Sequence, residues 1–267
     1  MKPLHIVSLL VVFGLLGSTA YAQYPIIFEK DVTYGCIGEV ELKMDIGRPK
    51  GVEHPVPAIV CIHGGAWQVG TKNDYEVHVR MLASLGYVTA AVEYRLAPDH
   101  KWPAQIEDAK CAVRYLRAHA QELNLDPGKI AALGDSAGGH LSLMLGVMNP
   151  KDKLEGAGGN PDQPSKVQAV INFSGPTDLP TWRIAPEAEP QFERDLGRDS
   201  DGVLEDLLET DDRTSALMTQ ASPITYVDAG DPPILTFHGD SDLIVAADQA
   251  RRFHEALDKA GVTNKLF

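Results

Sequence analysis

Gly134-Asp135-Ser136-Ala137-Gly138 joins the apolar run Ile130-Ala131-Ala132-Leu133 to an Ala- and Leu-rich stretch over 137–147. A short, continuous apolar run suits a strand buried on both faces, and the stretch after it has helical composition. The glycines at 134 and 138 leave room for a strained turn between the two, since side chains there would strike neighbouring backbone. Ser136 is carried at the tip of that turn, at the start of a helix. The amide of Ala137 then points toward any negative charge that develops beside the hydroxyl. Ser136 is therefore a candidate nucleophile, and Asp135 beside it a candidate pocket residue.

Outward from the turn, the same rhythm recurs. Residues 55–62, 87–94, 167–173 and 233–237 are further short apolar runs, which read as strands buried on both faces of a parallel sheet. Helical patterns separate them at 75–85, 103–123, 137–147 and 246–260, with proline at the start of the second and Gly261 closing the last. Near the front, 31–34 and 40–46 alternate apolar with polar residues around a turn at 35–38, the signature of an antiparallel pair with one solvated face. Strands alternating with helices predict an α/β fold with a doubly wound, mostly parallel sheet. The rhythm breaks over 176–232, an acidic, proline-containing insertion with a helical candidate at 203–208. It is either a solvated loop or a lid over the serine.

Composition narrows the possibilities. Lys2, the apolar residues 6–16 and Ala20-Tyr21-Ala22 form the pattern of a cleavable signal peptide over 1–22, cut after Ala22. The apolar run is too short for a stable membrane anchor, so a secreted or periplasmic domain over 23–267 is expected. A net charge of −13 opposes binding to nucleic acid. Three widely spaced cysteines make no disulfide framework, and Cys61 and Cys111 lie in buried-type segments. No zinc-ligand spacing is present, and no metal or organic cofactor is expected.

After the run 55–62 comes His63-Gly64-Gly65-Ala66-Trp67. A glycine pair at the end of a strand lets backbone N–H groups face a cavity. His63 is expected to brace this loop by hydrogen bonding, and Trp67 either walls a pocket or packs in the core. Together with Glu93-Tyr94-Arg95-Leu96-Ala97-Pro98, Gly134-Asp135-Ser136-Ala137-Gly138-Gly139-His140 and His238-Gly239-Asp240-Ser241-Asp242, these motifs resemble those of the hormone-sensitive-lipase-like and acetyl-xylan or feruloyl-type (BD-FAE-like) esterases of the α/β-hydrolase superfamily. The resemblance runs through nearly all of 23–267, in the family's order. It implies a serine carboxylic-ester hydrolase with Ser136 as nucleophile. Its oxyanion hole would be the amides of Gly65, Ala66 and Ala137, with Gly64 shaping the loop. Ala66 stands where related sequences often have a third glycine. The expected partner is a small-molecule or polysaccharide-linked ester.

The resemblance also implies that Asp242 orients the catalytic imidazole, while Asp240 bonds the backbone of its turn. Ile244-Val245-Ala246 replaces the family's more usual Val-Val-Pro. The family's histidine would follow the last strand, and here Lys265-Leu266-Phe267 reads as that strand beginning. The expectation is a final strand cut short and an incomplete copy of a longer esterase. The alternatives are a noncatalytic relative that binds a ligand in the old pocket, or a peptidase or arylformamidase on the same scaffold. His78, His100, His140, His238 and His254 do not fit the order that such a triad needs. His140 reads as a packing residue and His254 as a surface or helix-packing one.

Overall fold

The computed structural model describes residues 23–267; the expected signal peptide lies outside them. Eight strands among the described residues form one sheet in the order β1-β2-β4-β3-β5-β6-β7-β8. β1 (Ile26–Ile37) pairs antiparallel with β2 (Val40–Pro49), which pairs antiparallel with β4 (Val88–Val92). The remaining neighbours are parallel: β3 (Val56–Ile62), β5 (Leu125–Asp135), β6 (Ala169–Phe173), β7 (Ile234–Phe237) and β8 (Asn264–Leu266). The front hairpin is longer than its alternation suggests. Cross-strand pairing runs from Ile26 to Ile37 and tolerates register shifts on either side of Val32-Thr33, which hide the period of two.

Continuous apolar sequence in β3, β4 and β5 has a direct cause. Ala58, Val60 and Ile62 face the larger core, and Ile59 and Cys61 face a second one beneath α1 (Glu76–Ser84). Burial pushes the Cys61 thiol up to about 12 and the Cys111 thiol up to about 11, so both are inert packing groups. β6 and β7 depart from the expected two-sided burial. Val170, Asn172, Ile234 and Thr236 are buried, while Ile171, Phe173, Leu235 and Phe237 are only half-buried. On that side Phe173 stacks on Phe237, and Phe237 on Phe267, at 5.1 and 5.3 Å.

The predicted helix over 103–123 breaks at His119 into α2 (Ala104–Ala118) and α3 (Ala120–Leu123), and α3 ends on Asn124 in the left-handed region. α2 carries Asp108, which is 1 % exposed and grips Arg95 through its Nε, its Nη2 and its backbone amide. This pair holds the loop after β4 against the helix. α4 (Ala137–Val147) is buried along its whole length, and α8 (Asp248–Ala260) packs beside β8.

The segment 176–232 forms α5 (Glu189–Leu196), α6 (Ser200–Leu208) and α7 (Ala216–Gln220). α5 buries no residue fully and rests on the core through Phe192 and Leu196, whereas α6 sends Val203, Leu204, Leu207 and Leu208 into it. No helix among the described residues is long and apolar enough to cross a membrane.

The tightest approach in the sheet is between α4 and β3: a methyl on Gly138 would overlap the carbonyl of Ile62. Backbone cannot yield as a side-chain tip does, so Gly138→Ala is expected to lower stability by about 2 kcal/mol despite its better helix propensity. Gly239→Ala, where nothing lies within 4 Å, is the control and should be near neutral. Urea unfolding of the two variants measures the difference, and equal midpoints would contradict it.

Candidate active site

The chemistry-bearing residues come from the carboxyl ends of three strands on one side of the sheet, where open α/β folds bind ligands. β3 delivers the loop 63–67, β5 delivers Ser136, and β7 delivers the loop that carries Asp242. Ser136 has φ 50° and ψ −120°, between the last residue of β5 and the first of α4. Its own amide donates to Phe173 O at 2.8 Å, which fixes the turn to β6. The hydroxyl caps no amide of α4, has no hydrogen-bond partner among the described residues, and belongs to a half-exposed residue.

The loop after β3 runs left-handed through three residues: Gly65 at φ 103°, Ala66 at 52° and Trp67 at 60°. Only the first is glycine, so the path is strained and needs outside restraint. Gly65 O accepts Gln68 N and Val69 N at 2.9 and 3.0 Å, which closes a tight turn. Gly64 N donates to Asp135 Oδ1 at 3.2 Å, and Tyr75 Oη donates to the same oxygen at 2.9 Å. The amides of Gly65 and Ala66 have no acceptor among the described residues, and both residues are half-exposed. Ala137 N, the first amide of α4, has no intrahelical acceptor.

Asp135 therefore serves the loop from within the site. Burial raises its carboxyl above the usual range, opposed by the bonds from Tyr75 and Gly64. His63 is buried, donates Nδ1–H to Gly64 O at 2.8 Å and stacks on Tyr94 at 4.3 Å, the bracing expected of it. Burial keeps it below the ordinary imidazole range. Trp67 is 1 % exposed, so it packs in the core rather than walling an open pocket. Its indole donates to His140 Nδ1 at 3.2 Å.

In the acid loop it is Asp242, not Asp240 as expected, that bonds the backbone of the turn. Asp242 Oδ1 accepts Ile244 N and Val245 N, both at 2.9 Å. Asp240 instead points outward and pairs with Arg251. The reason is geometric: the tight turn closes through Asp242 N to Gly239 O, which folds the Asp242 carboxylate back over its own loop. Its Oδ2 lies 3.7 Å from His238 Nε2, but that nitrogen donates to Val245 O at 2.6 Å. Three further described histidines are committed by hydrogen bonds, while His78 Nδ1 is buried without a partner. His119 bonds Tyr115 O, His140 bonds Trp67 and Ala221, and His254, buried rather than at the surface, bonds Asn264. No described histidine hydrogen-bonds to Ser136 Oγ. Among the described residues no His, Cys, Asp and Glu cluster is arranged to hold a metal ion.

Sequence reasoning missed Tyr75 and Trp182. Trp182 meets Trp67 edge-on at 5.9 Å and donates its indole N–H to Ile244 O at 2.9 Å, tying the insertion to the acid loop. A long sequence separation and an irregular segment leave no periodic signal for either contact.

His140 makes the stability of this region sensitive to acid. It is fully buried, and burial lowers it to about 4. In the unfolded chain it protonates near pH 6.5. Its contribution to stability is complete above that value and is lost as pH drops from 6.5 to 4, a loss of about 3 kcal/mol across that window. Urea unfolding between pH 7 and 4 should show this loss in the wild type relative to His140→Gln. A pH-independent difference between the two would contradict it.

Three comparisons bear on this geometry. The BD-FAE family profile matches residues 44–257. The chain is 34 % identical to the probable carboxylic ester hydrolase LipM of Mycobacterium tuberculosis over 85 % of this chain and 51 % of LipM. With the esterase LipC of the same organism the figures are 34 %, 90 % and 57 %, so the chain spans about half the length of these curated relatives. Among solved structures, a truncated carbohydrate esterase from gut microbiota superposes with a TM-score of 0.76 at 29 % identity, covering 93 % of this chain and 88 % of that one. Butyrate-bound esterase 2 of Thermogutta terrifontis gives 0.72 at 30 %, covering 89 % and 81 %. The chain belongs to the BD-FAE family of α/β-hydrolases.

Proposed function

We propose that this chain is the hydrolase domain of an exported serine carboxylic-ester hydrolase that acts on short acyl esters, including acetyl or feruloyl groups on polysaccharide. The observation that carries the reading is the apposition of an unpartnered serine hydroxyl, held at φ 50°, with three unpartnered amides, those of Gly65, Ala66 and Ala137. Unsatisfied donors grouped around a nucleophile suit a tetrahedral oxyanion, and each is worth about 3 kcal/mol of barrier. The signal-peptide pattern supports export. The carbohydrate esterase and the butyrate complex, each similar to this chain, support the substrate class.

In this reading Ser136 Oγ attacks the ester carbonyl as an imidazole takes its proton. The carbonyl oxygen gains the negative charge between the three amides. The imidazolium then returns the proton to the departing alcohol, leaving an acyl-serine that water hydrolyses by the same steps in reverse. Asp242 keeps Oδ2 for orienting the imidazole, because Oδ1 is engaged by Ile244 and Val245. None of the described histidines hydrogen-bonds to Ser136 Oγ, so the imidazole of this reading is not one that the described residues bring to the serine.

Hydrolysis of p-nitrophenyl acetate and butyrate by the protein tests the reading. Turnover is expected, with Ser136→Ala lowering kcat by about 1,000-fold or more. Turnover that survives Ser136→Ala unchanged would overturn the assignment, and its complete absence in the wild type would favour a noncatalytic ligand-binding protein.

A further inference from the structure

His140 stands four residues after Ser136, on the first turns of α4, and joins three parts of the molecule. Its Nδ1 accepts the indole N–H of Trp67 from the left-handed loop. An indole N–H can only donate, so the imidazole must carry its proton on Nε2, and that proton goes to Ala221 O in the insertion at 2.6 Å. The ring is 0 % exposed and contacts Trp67 edge-on at 5.2 Å and Trp102 at 5.9 Å. The three tryptophans of the chain thus gather at this point, and each indole donates a hydrogen bond: Trp67 to His140, Trp102 to Gln220 Oε1 and Trp182 to Ile244 O.

We propose that His140 is a positioning residue that clamps the loop 64–67 in its left-handed course and couples its amides to the seating of the insertion. The inference deepens the ester-hydrolase reading and rests on it for its kinetic consequence. Ala66 and Trp67 both occupy a backbone region that disfavours residues with a Cβ. Two side chains flanking the nucleophile resist the loop's relaxation. Asp135, one residue before Ser136, holds the amide of Gly64, and His140 holds the ring of Trp67. The loop is gripped at both ends by the same strand-turn-helix that carries the serine. The insertion adds its own hold through Gln68 Nε2 to Asp206 Oδ2 at 3.2 Å. Loosening His140 would let Ala66 and Trp67 relax and move the Gly65 and Ala66 amides away from the oxyanion, with little effect on how an ester enters.

Two variants separate a clamp from mere packing. Asn at 140 offers an acceptor near the place of Nδ1, and Gln reaches only the place of Nε2. The first readout is hydrogen exchange of the indole N–H groups, three resonances assignable with Trp67→Phe. The Trp67 resonance should be protected in the wild type and in His140→Asn, and exposed to exchange in His140→Gln. The second is ester turnover by the protein. His140→Gln should lose about 10- to 100-fold in kcat with KM within about twofold, His140→Asn should recover most of it, and Trp67→Phe should match Gln. Trp67→Phe keeps the ring and leaves His140 in place, so it answers the question if the Gln variant fails to fold. Equal losses in Asn and Gln, or a Trp67 indole that exchanges as fast in the wild type as in His140→Gln, would overturn the clamp. A wild type without turnover counts against the hydrolase reading alone, and the exchange readout then decides the clamp.

Discussion

Backbone contact between the first turn of α4 and the end of β3 is the constraint on which the site depends. Gly138 lies so close to the carbonyls of Ile62 and His63 that no side chain fits between them. The serine turn and the loop after β3 are thereby held by main chain against main chain, with a separation that side-chain repacking cannot tune. Strand order enforces the same closeness: β3 and β5 are direct parallel neighbours, paired as far as Ile62 with Gly134. The Ser136 hydroxyl and the unpartnered amides thus emerge together from adjacent strand ends.

Around this contact, polar side chains hold conformations that the backbone alone disfavours. Asp135 and His140 restrain the loop from positions flanking Ser136, and Asp242 holds its own turn through two amides. All three are held by hydrogen bonds to protein neighbours. Burial raises the carboxyl of Asp135 and lowers the imidazole of His140, so both favour their neutral forms more than exposed groups do. The insertion takes part through Trp182, Gln220, Ala221 and Asp206, which reach the acid loop, Trp102, His140 and Gln68. Its α6 belongs to the core, and α5 packs on the core's edge through Phe192 and Leu196.

Much of this was legible in the sequence, for identifiable reasons. The runs 55–62 and 130–133 are apolar on consecutive positions because helices cover both faces there, and that pattern is unambiguous. The serine turn was readable because its glycines are demanded by backbone contact. What escaped depended on turn geometry or on contacts distant in sequence. Nothing near Asp240 or Asp242 indicates which carboxylate folds back on the turn, because the answer lies in the Asp242 N to Gly239 O bond. Trp67 read equally well as pocket wall or core, since its partner is a histidine 73 residues away. The half-buried side of β6 and β7 was hidden by the same apolar composition that marks full burial elsewhere.

The central claim is that Ser136 is an activated nucleophile whose oxyanion is met by the amides of Gly65, Ala66 and Ala137. Peptide-mapped mass spectrometry of the protein after exposure to a fluorophosphonate tests it most directly. The account predicts a single phosphonyl adduct, on the peptide containing Ser136, that is lost when the protein is unfolded before labelling. An unmodified Ser136 in folded protein, or adducts spread over other hydroxyls to the same extent, would contradict it.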